Sequence, residues 1–294
     1  MERKTFLKWL ALLPATGILM KLRTFGDSVS ELPSTGLMPV LFLGHGSPMN
    51  AIETNEFSQN WRKIGESIPR PKAILCVSAH WETRGTWVTA MQQPRTIHDF
   101  GGFPQALYDV QYPAPGSPEM ALETQKTITS TQVGMDQQWG LDHGCWSVVK
   151  HLYPNADVPV FQLSLDRFQT PQYHYELGRE LAALRHKGVL IVGSGNMVHN
   201  LRMVAWDKLH LPEYGYDWAI EANESMKKLI ATGDHEALTA FRNRGKAFDL
   251  AIPTPDHYLP LLYVLAGKQG DEPVRIFNDR VIGGSLNMTS VQIG

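Results

Sequence analysis

Eleven histidines occur in the chain, and four of them stand where chemistry can be done. His45 follows the apolar run Val40-Leu41-Phe42-Leu43-Gly44 and is flanked by two glycines that let the backbone turn and leave the ring uncrowded. His80 follows Ala73-Ile74-Leu75-Cys76-Val77-Ser78-Ala79, and His199 follows Val189-Leu190-Ile191-Val192-Gly193-Ser194-Gly195. His257 lies in Pro253-Thr254-Pro255-Asp256-His257. A neutral imidazole offers one nitrogen to a cation while its other nitrogen is held by a backbone or carboxylate partner. Three histidines at strand ends and a fourth near a helix start form the pattern of a metal site.

The elements that must position these residues can be read from the same runs. Short apolar segments bounded by glycine or proline predict strands buried on both faces. Such strands are predicted at 40–43, 73–79 and 189–193, with others at 86–91, 158–165, 273–277 and 286–292. Helical spacing predicts helices over 53–68, 117–131, 171–187, 216–231, 234–244 and 258–266. Ser47-Pro48 reads as an N-cap followed by a first-turn proline. The helix near His257 starts either at the cap and first-turn pair Thr254-Pro255 or, because Pro260 inside a helix would remove a backbone bond, near Leu259 with His257 in the preceding loop. Strand and helix alternate, which predicts an α/β fold with a mostly parallel central sheet covered by helices. Ligands of such sheets bind at the carboxyl ends of the strands. A loop over 94–118, rich in proline and glycine, is long enough to be functional or a lid. Residues 140–146 read as a second loop.

Several readings are set aside. A net charge of −2, with no run of Lys and Arg, gives no reason to expect nucleic acid. Two cysteines make no disulfide framework, and Cys76 reads as core. Val198 stands where a dinucleotide fingerprint needs its third glycine, so the glycines at 193 and 195 are read as room for His199 to approach a ligand. Cys145 beside His143 lacks the oxyanion hole of a thiol hydrolase. His151, His174, His186, His210 and His235 lie in polar company and are expected on the surface.

Residues 1–37 differ from the rest. Arg3-Lys4-Thr5-Phe6-Leu7-Lys8 precedes a short apolar stretch from Trp9 to Met20, the order of an export signal. It is similar to a twin-arginine signal with Lys4 in the second position, and the apolar stretch is too short for a membrane span. The expectation is export to the periplasm, with no stable insertion in the membrane; an uncleaved extension on a cytoplasmic protein is the alternative. The catalytic domain is then 38–294.

Five motifs in order carry a resemblance. They are Gly44-His45-Gly46-Ser47-Pro48-Met49, Ser78-Ala79-His80-Trp81-Glu82, Gly140-Leu141-Asp142-His143-Gly144, Gly193 to Asn200, and Pro253-Thr254-Pro255-Asp256-His257-Tyr258. Together they resemble the 4,5-DOPA extradiol dioxygenase family, a branch of the class III extradiol superfamily. The resemblance implies cleavage of a catechol such as DOPA with O₂ at one divalent metal ion. It implies His45, His80 and His257 as metal ligands, and His199 as acid/base, with some members using it as a further ligand. It implies His143 as a substrate-facing histidine. Trp81, Phe100 and Tyr258 flank these motifs and are candidate walls for a flat ring. An all-histidine site suits Zn²⁺ as well as Fe²⁺, whose usual oxygenase face includes a carboxylate. A zinc-dependent hydrolase and a non-catalytic metal-binding member of the superfamily are the alternatives.

Overall fold

The computed structural model describes residues 36–294, so nearly all of the signal-like segment and linker at 1–37 lies outside the described residues. Among the described residues there are ten strands and nine α-helices. Strands are β1 (Val40–Gly44), β2 (Ala73–Thr83), β3 (Thr86–Thr89), β4 (Val133–Asp136), β5 (Val160–Asp166), β6 (Val189–Gly195), β7 (Val274–Phe277), β8 (Val281–Ile282), β9 (Leu286–Asn287) and β10 (Ser290–Ile293). Helices are α1 (Glu56–Ser67), α2 (Gln105–Tyr108), α3 (Pro118–Thr127), α4 (His143–Leu152), α5 (Pro171–Leu181), α6 (Asp217–Thr232), α7 (His235–Thr239), α8 (Lys246–Ala251) and α9 (Leu259–Ala266).

Eight strands form one sheet in the order β4-β3-β5-β2-β6-β1-β10-β7. Its centre, β5-β2-β6-β1, is wholly parallel, and antiparallel pairings occur only toward the edges. Successive side chains on a strand point to opposite faces, and here both faces are packed. Val40 and Phe42 enter one hydrophobic cluster while Leu41 and Leu43 enter the other. Leu75 and Val77 divide from Ile74 and Cys76 in the same way. That double burial is why these strands read as unbroken apolar runs. The cluster holding Leu41 also contains Trp61 of α1 and Trp146 of α4, and the opposite one contains Leu177 of α5 and Leu262 of α9.

Local sequence fixes the helix starts. Asn55 and Ser58 close a reciprocal capping box on α1. Ser117, Thr170 and Asp142 accept hydrogen bonds from the first turns of α3, α5 and α4. Ser47 caps a short 3₁₀ turn over Pro48–Ala51.

Three expectations are corrected. Residues 143–152 are a helix, and only the approach to it is loop; α4 is buried on nearly every side, so it shows no polar face to betray its period. The predicted strand over 286–292 is two strands, broken at Met288 and Thr289. His151 and His174 are buried. His151 Nε2 meets the Asn50 carbonyl at 2.8 Å, and His174 Nδ1 meets the Tyr263 hydroxyl at 2.9 Å. Polar neighbours on a helix do not decide which side a given residue takes, and these two fall on inward faces. His186 and His210 are exposed as expected, and His235 is half-buried.

Burial of His174 has a consequence for stability. Its removal from water, only partly offset by hydrogen bonding and charge from Asp166, lowers its pKa to about 4. The folded protein therefore refuses a proton that the unfolded chain takes up below about pH 6.5. Stability falls as pH drops through that window, by about 3 kcal/mol from this residue alone. Urea unfolding should show wild type losing more stability than His174→Gln between about pH 7 and about pH 4.5. Equal losses would remove His174 from this role.

Candidate metal centre

Each site histidine is delivered by a distinct device. His45 follows β1, and its backbone N–H donates to the Gly195 carbonyl at 3.1 Å, continuing the β1–β6 ladder one step beyond the strand. The Asn50 side-chain amide donates to the His45 carbonyl at 2.9 Å and pins the turn. His80 lies within β2 rather than beyond its end. The pairing of β2 with β5 slips between Val77 and Glu82, so Ser78 to Trp81 form a bulge that takes His80 out of the ladder. His257 sits in the turn before α9, which starts at Leu259 with Pro260 in its first turn.

These three rings converge. One ligand atom from each of His45, His80 and His257 lies within 4.8 Å of the other two. Nε2 of His45 and Nε2 of His80 are 3.3 Å apart. The His257 ring meets His45 and His80 edge to face, with centroids at 5.2 and 5.0 Å.

Hydrogen bonds set which nitrogen of His45 and His257 carries the proton, and the nearby Asp99 carboxylate favours the Nδ1 proton of His80. The Ser194 hydroxyl donates to the Gly144 carbonyl at 2.5 Å, so its oxygen accepts from His45 Nδ1 at 3.0 Å. The Asp256 carboxylate accepts from His257 Nδ1. His80 Nδ1 faces Asp99 Oδ2 at 3.6 Å. With the Nδ1 protons directed outward, the facing Nε2 lone pairs of His45 and His80 have no proton to share. Burial first, and then the neighbouring imidazoles, push His45 and His80 well below the ordinary histidine pKa and keep both neutral. Neutral imidazoles such as His45 and His80, with their Nε2 lone pairs turned toward one another, are donors a divalent cation requires.

His199 is placed differently. Its ring lies flat against His257, with centroids 3.5 Å apart and planes 7° from parallel. It groups with Asp256 and His257 rather than with His45 and His80. Burial, assisted by the neighbouring His257 ring and opposed by Asp256, lowers its pKa to about 3. His143 opens α4 and stands beside His80, with centroids 3.9 Å apart. Phe100 meets His143 edge to face at 5.5 Å and continues into Phe103 and Tyr108, giving an aromatic side to the site.

The other two candidate wall residues are not brought into that aromatic side. Trp81 stacks on Trp139 at 5.8 Å, and the Trp139 indole N–H donates to Asp142, so the pair braces the approach to α4. Tyr258 turns into the core, where its hydroxyl donates to the Leu238 carbonyl at 3.0 Å and its ring packs on Phe241. The glycines of β6 are also corrected. A Cβ at Gly195 would fall 2.1 Å from the His257 carbonyl oxygen, and one at Gly193 would fall 2.5 Å from that of Pro260. They make room for the backbone that carries His257, not for His199.

That correction gives a prediction. Gly195→Ala must push the His257 segment away and disturb the hydrogen bond from the Asn196 N–H to the His257 carbonyl, now 2.8 Å. The expected outcome is a loss of about 1–3 kcal/mol in stability. Metal affinity should fall by about 10–100-fold, the scale for disturbing a ligand's support. Thermal melts and metal titration check both, and unchanged metal affinity would show that His257 is not held this way.

Asp99, Asp256 and Ser194 are the supporting residues that residue spacing did not reveal. Asp256 precedes its histidine directly, and Asp99 sits in the long 94–118 loop. Ser194 was visible only as part of a glycine-rich turn.

An open α/β sheet with imidazoles gathered near the carboxyl ends of its parallel strands defines the class, a metalloprotein with a candidate histidine-rich centre. Residues 36–279 match the family described as the catalytic LigB subunit of aromatic ring-opening dioxygenase. The chain is 50% identical over 266 residues to a protein of Escherichia coli (strain K12) named 4,5-DOPA dioxygenase extradiol, covering 89% of this chain and 96% of that one. A Beta vulgaris protein of the same name is 36% identical over 264 residues, covering 85% of this chain and 94% of the relative. A crystal structure of an uncharacterized Escherichia coli K12 protein superposes with a TM-score of 0.76 at 45% identity, covering 87% of this chain and all of that one. The chain belongs to the LigB ring-opening dioxygenase family, and it is a metal-dependent extradiol dioxygenase.

Proposed function

We propose that the substrate is a catechol of the DOPA type, opened with O₂ at a divalent ion held by His45, His80 and His257. The observation that carries this reading is the cluster of three imidazoles whose Nδ1 atoms face outward to Ser194, Asp99 and Asp256. The relatives named 4,5-DOPA dioxygenase extradiol support the substrate class. When bound, Fe²⁺ supplies the redox chemistry toward O₂ and the charge that makes the diol more acidic, whereas Zn²⁺ supplies the charge alone.

The chain's own residues do the rest. His199 is neutral and half-buried against His257, so it starts as a proton acceptor for a catechol hydroxyl and can return that proton when the ring opens. His143 lies beside His80 on the aromatic side formed with Phe100 and is the group we assign to the substrate. Phe100 presents a ring against which a flat diol can lie, and the aromatic cluster behind it limits water. Asp256 fixes the direction of the His257 ring on which His199 stacks.

A catechol panel that includes DOPA tests the proposal. Protein loaded anaerobically with Fe²⁺ should consume O₂ and release a yellow ring-opened semialdehyde, while the Zn²⁺ form should bind catechol without O₂ uptake. Inert Fe²⁺ protein together with ester or amide hydrolysis by the Zn²⁺ form would replace this reading with that of a hydrolase. We propose further that residues 3–20, basic and then apolar, export the chain. Fractionation of the native host should find it in the periplasm, and full-length protein confined to the cytoplasm would contradict export.

A further inference from the structure

We propose that Asp99, His143 and the outer edge of His80 form a second, weaker site for a divalent cation beside the three-histidine cluster. The first observation is proximity. One ligand atom from each of His80, Asp99 and His143 lies within 4.8 Å of the other two. His143 Nδ1 is 3.0 Å from Asp99 Oδ1, and His80 Nδ1 is 3.6 Å from Asp99 Oδ2. Donors bound at about 2.0–2.1 Å around a four-coordinate ion stand about 3.3 Å apart, which is the spacing seen here.

The second observation is a buried nitrogen with nothing aligned to it. His143 is 6% exposed, and its Nδ1 has no hydrogen bond of good geometry. Asp99 Oδ1 lies close but off the line of that nitrogen, because the same oxygen already accepts the His143 backbone N–H at 2.8 Å. A buried polar atom left without a partner is costly and calls for an explanation. The carboxylate faces two imidazole nitrogens and aligns well with neither ring. A cation between them satisfies all three groups; it displaces to solvent the proton that otherwise points from His80 Nδ1 to Asp99, leaving His80 as an imidazolate when both sites are filled.

Two nitrogens and one carboxylate favour Zn²⁺, Fe²⁺ or a similar transition ion over Mg²⁺ or Ca²⁺. His80 presents its two ring nitrogens to the two sites, since its Nε2 faces His45 while its Nδ1 faces Asp99. An ion in the second site occupies His143, the residue assigned above to the substrate. The site is therefore one at which metal in excess competes with the catechol. This inference rests on the proposed ligand set of the first ion and on the proposed place of His143, not on the identity of the substrate.

The test counts ions. Metal-depleted full-length protein is dialysed against rising Zn²⁺, and bound metal is measured by elemental analysis. Two ions per chain are expected, the second weaker, with Asp99→Asn and His143→Gln each holding one. A single ion at saturation in wild type overturns the second site without requiring any variant to fold, and so does retention of two ions by both variants. Neither result touches the catechol reaction, and an inert catechol panel would leave the ion count unchanged.

Discussion

Replacing His80 with alanine is expected to strip the protein of stoichiometric metal and, with it, of O₂ consumption. His80 brings Nε2 to within 3.3 Å of His45 Nε2, and its removal leaves two of the three converging imidazoles. Structural Zn²⁺ sites bind with about 10–16 kcal/mol, so at a site of that strength one donor in three is worth roughly 4 kcal/mol. That corresponds to about a 10³-fold weaker site. His45→Ala should behave alike, because Ser194 braces the His45 ring just as Asp99 faces that of His80. Elemental analysis after dialysis checks both variants. Full occupancy in either would show that its imidazole is not a ligand.

His199 should separate chemistry from metal binding. Its ring is stacked on His257 and does not join the trio of His45, His80 and His257. His199→Gln is therefore expected to keep its metal while turnover falls by about 10²–10⁴-fold, the range for a positioned acid/base. The diol should still bind, because the groups assigned to the ion and to Phe100 are untouched. Parallel measurement of metal content, catechol affinity and turnover distinguishes the roles. Loss of metal from this variant would make His199 a ligand, and undiminished turnover would deny it the proton.

What the sequence disclosed follows from where burial is complete. The strands β1, β2 and β6 are packed on both faces, so their apolar runs were unmistakable, and the histidines at or near their ends could be placed. Two starts of α9 were open in the sequence, Thr254-Pro255 and Leu259, and the helix takes the second, with Pro260 in its first turn. The same full burial hid α4, whose residues give no polar stripe. The β2 bulge is a matter of register with β5, which no single segment encodes, so His80 was expected past the strand rather than within it. Gly195 was rightly seen as making space, but the neighbour that uses the space lies sixty-two residues further on. Tyr258 and Trp81 sit beside site motifs in sequence, yet each points to a partner of its own. Asp99 comes from the long loop and meets His143 only in the fold, a contact of tertiary origin.

An extradiol dioxygenase inserts both atoms of O₂ into the ring it opens. Fe²⁺-loaded protein turned over under isotopically labelled O₂ measures that directly, with the ring-opened product analysed by mass. Two labelled oxygen atoms in the product and equal molar consumption of O₂ and catechol are expected. Oxidation of the catechol to a quinone with no label incorporated would contradict that insertion.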